Sequence, residues 1–497
     1  MTKSKVFLAA LLAAGAAMFY SCGDDKPTPG GGKDPKPDVP ETGSVRMLTT
    51  TADRSKDLSE SWIEFSTKDN MSPSTIRLRP NETFQTMDGF GAAITGSTCY
   101  NLMKMKPEDR KAFLELTFSP DKGYGFSYVR ISIGCSDFSL SEYTCWDDKD
   151  KGFALTDEEN KYIIPILKEI LAINPTLKVM GTPWTAPRWM KVNNLTELKQ
   201  WNQWTSGQLN PKYYADYGEY FAKWIKAFAD NGIKIYSVTP QNEPLNRGNS
   251  ASMYMGWEEE RDFVKKGLGP ALRNAGLDTK IYAFDHNYNY DNISSQKSYP
   301  TKIYADFDAR KYLAGAAFHN YGGNKDELTV VHNATPGMDL VFTETSIGEW
   351  NNGRDLSKRL IDDMQEVALG TVNRWAKGVI VWNLMLDDQK GPYRPGGCST
   401  CYGAVDINRD YTTMTRNSHY YIIAHMASVV KPDAVRIGTS GFTAPGLTYT
   451  AFRNTDGSYA MVLSNGSSSE IKFTVDDGTH HFPVTVPASS AVSLSWK

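Results

Sequence analysis

The stretch IYSVTPQNEP, residues 235–244, decides how this sequence is read. It opens as a short β-branched and aromatic run, passes through Thr239-Pro240, and delivers Gln241, Asn242 and Glu243 at once. A second stretch, DLVFTETS at residues 339–346, has the same grammar and delivers Glu344. Each reads as a buried strand that ends on a carboxylate. Working outward, similar runs occur at Gly89–Ile94, Tyr128–Ile133, Lys178–Pro183, Lys280–Phe284, Gly315–His319 and Gly378–Asn383. With Ile235–Pro240 and Asp339–Thr343 that makes eight. Several lack a polar face, as parallel strands covered on both sides do. Amphipathic helical stretches lie between them, at Asp157–Ile173, Pro211–Asn231, Trp257–Ala275 and Leu356–Ala376. Eight strands with interposed helices predict an α/β fold, a (β/α)8 TIM barrel over residues 84–430. A doubly wound open sheet is the rival. It would want a Gly-rich phosphate loop after the first strand, and Gly89-Phe90-Gly91 is too short a match.

The pattern changes after about Lys431. Ala460–Leu463, Ile471–Val475, Phe482–Val486 and Ala491–Trp496 read as strands separated by polar turns. Residues 45–83 also contain strand-like runs, Trp62–Ser66 and Thr75–Leu78. Residues 45–83 and 431–497 are therefore expected to form one β-sandwich from both chain ends.

The N-terminus is set aside from the fold as a targeting segment. Lys3 and Lys5 precede the apolar run Val6–Tyr20, whose 15 residues fall short of the ~20 of a transmembrane helix. Ser21-Cys22 follows, so residues 1–21 resemble a bacterial lipoprotein signal, with Cys22 the lipidated residue. Phe19 stands where Leu or Val is usual, which leaves a plain secreted protein as the alternative. Residues 22–44, rich in Pro, Gly, Lys and Asp, have almost nothing to bury and should be a flexible tether. The expectation is an outer-membrane, cell-surface lipoprotein, touching the membrane only through its anchor at Cys22.

Bulk composition narrows the partners. A net charge of -3 offers no basic footprint for nucleic acid. Aromatic residues make up 12% of the chain, which suits a large core first and sugar-stacking rings second. Beyond Cys22, five cysteines remain: Cys99, Cys135, Cys145, Cys398 and Cys401. An odd number leaves at least one free thiol or a bridge to another chain. Cys398-x-x-Cys401 lacks the second pair or nearby histidines of a structural zinc site, so a local disulfide is the better reading. No metal and no cofactor are expected, and the protein is expected to be a monomer.

Barrel active sites lie where strands end at the C-terminal face. The second run carries Arg130, with Asp137 beyond it. The third runs into Trp184, the fourth into Asn242 and Glu243, the sixth into His319 and Tyr321, the seventh into Glu344, and the eighth contains Trp382. A lone strand-end glutamate reads as a loop charge or a helix-cap partner. Two of them, on strands four and seven of an eight-strand barrel, can face each other across its mouth. A glycosidic bond needs a proton donor on its leaving oxygen and a carboxylate at its anomeric carbon. Arg130 could equally be a barrel salt bridge, Trp184 and Trp382 plain core, and Asp137 a helix cap. His319 reads as a hydrogen-bonded scaffold residue, and Asp387-Asp388 as a solvated loop.

Six motifs in register resemble glycoside hydrolase family 30, whose members include glucosylceramidases, endo-β-1,6-glucanases and some xylanases. They are Asp88–Thr95, Tyr128–Gly134 with Asp137-Phe138-Ser139, Pro183–Pro187, Gln241-Asn242-Glu243-Pro244, His319 and Tyr321 with Thr343-Glu344, and Tyr420-Tyr421-Ile422. The resemblance implies a retaining enzyme, with Glu243 as acid/base and Glu344 as nucleophile. It implies a barrel with a sandwich drawn from both termini. Glu243 should then have its pKa raised by burial and by Glu344. Glu344 should stay ionised beside Arg130 and Tyr321. Asn242 should contact the hydroxyl next to the anomeric carbon, and Asp137, Trp184 and Trp382 the sugar itself.

Three departures separate the chain from glucosylceramidases. Gly96-Ser97 stands where those carry Asp-Ala, Asn320 where they carry Trp, and the loop Asp387–Tyr402 is its own. The stretch Gly91–Ser97 looks most like the endo-β-1,6-glucanases. The resemblance therefore implies hydrolysis of a β-1,6-glucan, a polysaccharide or oligosaccharide substrate. A β-glucosidase or glucosylceramidase-like exo-hydrolase is the alternative within the class, with xylanase third. A non-catalytic surface glycan-binding lipoprotein is the alternative outside it.

Overall fold

The computed structural model describes residues 43–66, 73–288 and 293–497. The expected signal segment, Cys22 and nearly all of the tether lie outside these residues.

Eight short strands form the barrel: β1 (Gly89–Ala92), β2 (Tyr128–Ser132), β3 (Lys178–Thr182), β4 (Ile235–Val238), β5 (Lys280–Asn287), β6 (Gly315–His319), β7 (Asp339–Glu344) and β8 (Ala376–Val381). They pair in parallel in the order β1-β8-β7-β6-β5-β4-β3-β2. The ring closes between β1 and β2 through a bridge from Ala93 to Arg130, with the Ile94 N–H donating to the Arg130 carbonyl at 2.8 Å. Neighbouring backbones approach closely at two glycines. A Cβ on Gly91 would lie 2.0 Å from the Tyr128 carbonyl oxygen, and one on Gly315 would lie 1.8 Å from that of Asp339.

Side chains alternate along a strand, so inward positions stack in layers. Tyr128, Met180, Tyr282, Ala317, Val341 and Ile380 fill the lower interior as one buried apolar cluster. One inward position further along, the layer turns polar: Arg130, Thr182, Asp285, His319 and Thr343. Two strands reach this layer through irregularities. Between β5 and β6 the register jumps from Phe284↔Ala317 to His286↔Phe318. This leaves Asp285 unpaired, with Phe284 and Asp285 at φ 74° and 59°. Between β6 and β7 it jumps from Phe318↔Phe342 to His319↔Glu344. Bulges of this kind re-aim side chains, and here they add a carboxylate to each strand end.

The expected helices form, but less regularly than the amphipathic pattern predicts. Tyr214–Asp230 is one unbroken helix. The stretches expected at 157–173, 257–275 and 356–376 each contain a five-residue π turn, at Glu159–Ile163, Val264–Leu268 and Met364–Ala368.

The chain ends meet as expected. Ser44–Thr51 pairs antiparallel with Ser490–Trp496, and Thr75–Thr86 with Val435–Gly441, inside one nine-stranded sheet. The sheet folds over a core that includes Ile76, Leu463, Phe473, Phe482, Leu494 and Trp496. Its two edges come together where the Ser66 N–H donates to the His481 carbonyl at 2.7 Å and Phe65 stacks on His480. The Tyr420-Tyr421-Ile422 motif lies in the wholly buried helix Ser418–Ala427, between barrel and sandwich. From that helix His425 bridges Ser493 at 2.8 Å and Thr50 at 2.9 Å. Burial pushes its imidazole down to about 3, so it is neutral.

One disulfide joins Cys398 and Cys401, while Cys99, Cys135 and Cys145 are buried free thiols. Asp387 corrects an expectation. It is buried rather than solvated, and accepts from the Gln389 and Gly391 N–H groups at 2.9 and 2.7 Å. A carboxylate two and four residues from unpaired turn donors is drawn inward to satisfy them.

Candidate active site

At the C-terminal mouth of the barrel, a cleft of about 550 Å³ is walled by Asp137, Glu243, Tyr321, Glu344 and Trp382 together with His286, Asn287 and Trp350. The segment after β4 turns sharply. Asn242 donates its N–H to the Pro183 carbonyl at 2.8 Å and Glu243 to that of Asp285 at 3.0 Å. Glu243 itself takes φ 43°. That left-handed conformation is costly for a side-chain-bearing residue and is held by its surroundings. It aims the carboxylate into the cleft.

Glu344 reaches the same cleft from β7. Arg130 Nη1 donates to its Oε2 at 2.6 Å and the Tyr321 hydroxyl to its Oε1 at 3.0 Å. Arg130 is wholly buried, and its Nη2 donates to Asn242 Oδ1 at 2.7 Å and Asp285 Oδ2 at 2.8 Å. One guanidinium thus fixes the nucleophile candidate and orients Asn242. Burial raises the Glu344 carboxyl, the more so beside Glu243, while His319 and Arg130 oppose that rise.

Glu243 sits among different partners. Asn246 and Asn249 donate to its Oε2 at 2.8 and 3.1 Å. His319 Nδ1 lies 3.4 Å from its Oε1, and His286 Nδ1 4.0 Å away. The sequence predicts a carboxyl raised by burial and by Glu344; burial does push it up, but the expected rise fails. The histidines and Asn246 outweigh burial and bring it down to about 2. The reason is a neighbour: burial pushes His319 down, but Glu344, Asp285 and Glu243 raise its imidazole to about 9. His319 Nε2 faces Asp285 Oδ1 at 3.0 Å, and a carboxylate there keeps Nε2 protonated. The titrating proton therefore belongs to the Nδ1–Oε1 contact. At neutral pH the Glu243–His319 pair holds one proton, to be counted for the pair rather than for either residue.

Asp285 organises this floor. Besides Arg130 and His319 it accepts from the hydroxyls of Thr239 at 2.7 Å and Thr343 at 2.6 Å. Burial opposes its charge, but Arg130 and His319 hold it well below the usual carboxylate range. Asp137 is the opposite case. Burial and the repulsion of Glu344 and Glu243 raise it to about 8, so at neutral pH it is a hydrogen-bond donor.

Two residues expected on the sugar differ in access. Trp382 lines the cleft, whereas Trp184 is fully buried behind it, stacked at 5.2 Å between ring centres. Both rings lie beside the Arg130 guanidinium, at 5.0 Å for Trp184 and 5.7 Å for Trp382. Trp184 is thus placed to hold Trp382 and Arg130. Sequence reasoning missed Asp285, His286, Asn246 and Asn249. The first two directly follow the fifth strand run, and a longer strand would have brought them to the mouth. His286 also changes the reading of His319: the donor atoms of Glu243, His286 and His319 lie within 4.8 Å of one another, close enough to hold a metal ion.

A mouth with two glutamates in unlike surroundings can protonate a leaving oxygen and attack the carbon it leaves. Known proteins agree with this chemistry. Residues 87–430 match the glycosyl hydrolase family 30 TIM-barrel domain and residues 433–494 the family 30 beta sandwich domain. The chain is 33% identical over 419 residues to an endo-1,6-beta-D-glucanase of Neurospora crassa, spanning 81% of this chain and 83% of that one. It is 26% identical over 452 residues to the lysosomal acid glucosylceramidase of Mus musculus, spanning 85% and 83%. Among solved structures, the endo-beta1,6-glucanase BT3312 aligns with a TM-score of 0.89 at 65% identity, over 92% of this chain and 99% of that one. This chain belongs to glycosyl hydrolase family 30.

Proposed function

We propose that this protein is a retaining endo-hydrolase of β-1,6-glucan, with Glu243 as acid/base and Glu344 as nucleophile. The observation that carries the reading is the convergence of these two buried glutamates, from β4 and β7, on one cleft. Their partners divide the labour. Glu344 is gripped by Arg130 and Tyr321, which leave its oxygens on the cleft side in a fixed orientation. The Glu243–His319 pair carries the proton.

In the first step Glu344 attacks the anomeric carbon while Glu243 delivers the pair's proton to the glycosidic oxygen. The C–O bond breaks, the shortened chain leaves as an alcohol, and a glycosyl ester forms on Glu344. That ester has lost its negative charge. In the second step Glu243 takes a proton from water, and the resulting hydroxide equivalent attacks the same carbon. Glu344 is released as a carboxylate and the configuration is retained. Asn242, oriented by Arg130, serves the hydroxyl next to the anomeric carbon. Protonated Asp137 and the Trp382 ring hold the sugar on the other side of the cleft.

The β-1,6 linkage is favoured by the endo-1,6-β-glucanases among the relatives and by the 65% identity to one of them. The sequence around Cys22 supports a lipidated protein at the outer cell surface, tethered so that the barrel reaches polymer in the medium. Digestion of β-1,6-, β-1,3- and β-1,4-glucans, xylan and glucosylceramide, followed by chromatography, tests the reading. A ladder of short oligosaccharides from β-1,6-glucan alone is expected. Glucose from the outset would favour the exo-acting alternative. No product from any substrate would favour a glycan-binding role.

A further inference from the structure

A second cavity, of about 320 Å³, lies beside the catalytic cleft, among the segments that follow β6 and β7. Its size is at the lower end of ligand cavities, roughly 300–1,000 Å³. Tyr321 and Trp350 belong to the walls of both spaces. The two spaces therefore adjoin at Tyr321 and Trp350.

Trp350 is 51% exposed, although large aromatic residues are usually well covered. Its ring is nonetheless fixed. It lies against Gly348, where a Cβ would come within 1.9 Å of the ring. Gly348 in turn pairs with Cys401, and the Asn351 side chain accepts from the Gly348 N–H at 2.9 Å. An exposed ring held in place is a platform. Asn320 lines the same cavity, and its amide has no side-chain partner among the described residues. The Arg359–Asp363 ion pair lines it too. An aromatic face, a free amide and a charged pair match a hexose, which offers a C–H face and a ring of hydroxyls.

We infer that this cavity is a distal subsite for one glucosyl unit of the bound chain, with Trp350 as its stacking platform and Asn320 as its hydrogen-bonding partner. The inference rests on the β-glucan reading above and adds to it a reason for the enzyme to prefer long chains.

The test compares kcat/KM across β-1,6-linked gluco-oligosaccharides from the dimer upward, for the wild type, Trp350→Ala and Asn320→Trp. The wild type should favour long chains. Each variant should lower the long-to-short ratio, on the order of tenfold for the loss of a stacking face, with the change carried by KM. Gly348→Ala, which pushes the ring aside, should move the ratio the same way. A purely structural effect would lower all lengths together and leave the ratio fixed. That result in both Trp350→Ala and Asn320→Trp, or a wild type indifferent to length, overturns the subsite while the substrate reading stands. A wild type that cleaves no member of the series overturns the substrate reading and the subsite with it.

Discussion

Glu243 and Glu344 carry the same functional group, and only their neighbours tell them apart. Glu344 faces a guanidinium and a phenol. Glu243 faces an imidazole that shares its proton. Glu344→Gln should reduce turnover by at least roughly 10³-fold with folding intact, checked by steady-state kinetics beside a thermal melt. His319→Asn should act on pH dependence. The pair holds its proton up to about 9 and Asp137 up to about 8. Activity should therefore fall as pH rises through that range. Without His319 the proton rests on Glu243 alone, and the alkaline limb of kcat/KM should move to lower pH. The same histidine links pH to stability. Its folded pKa lies above its unfolded value of about 6.5. Its contribution is then complete below about 6.5 and lost as pH rises towards 9. Melts of wild type and His319→Asn should converge across that window.

At the scale of the element, the bulge in β5 matters more than any helix. It places Asp285 under Arg130, His319, Thr239 and Thr343. Asp285→Ala strips a buried arginine and a buried histidine of their counter-charge. It should cost about 3–5 kcal/mol of stability, readable by denaturant titration, whereas Asp285→Asn should lose less and still show a depressed kcat. The bulge also explains what the sequence concealed. The glutamates were legible because each follows a clean apolar run. Asp285 was not, because the apolar run stops at Phe284 while the strand continues to Asn287 with one residue out of register. Trp184 and Trp382 read alike in sequence, both at strand ends. Only packing separates the one that lines the cleft from the one stacked behind it.

For the whole molecule, the barrel is bracketed by a sheet that needs both chain ends. That arrangement was legible from strand-like runs before residue 84 and after residue 430, although Thr75–Thr86, with charged and polar residues along it, is far longer than its apolar part suggests. Removing residues from 433 onward would leave Ser44–Thr51 paired on one side only, with Ser59–Glu64, and would strip Thr75–Thr86 of both neighbouring strands. Such a truncation should be insoluble rather than yield a free barrel, as expression and sedimentation would show. The joint itself is small and buried. Ser493→Ala, which strands His425 Nδ1, should destabilise the protein by about 1–3 kcal/mol, visible as a lower melting temperature.

The central claim is that Glu344 becomes covalently glycosylated during turnover. The most direct measurement is mass spectrometry of the enzyme after brief reaction with an activated 2-deoxy-2-fluoro-β-glucoside, followed by proteolysis and peptide sequencing. The account predicts a stoichiometric glycosyl adduct on the peptide that carries Glu344, and none on Glu344→Gln. An adduct on Glu243, or an enzyme that turns over glucan with inversion and never forms an adduct, would contradict it.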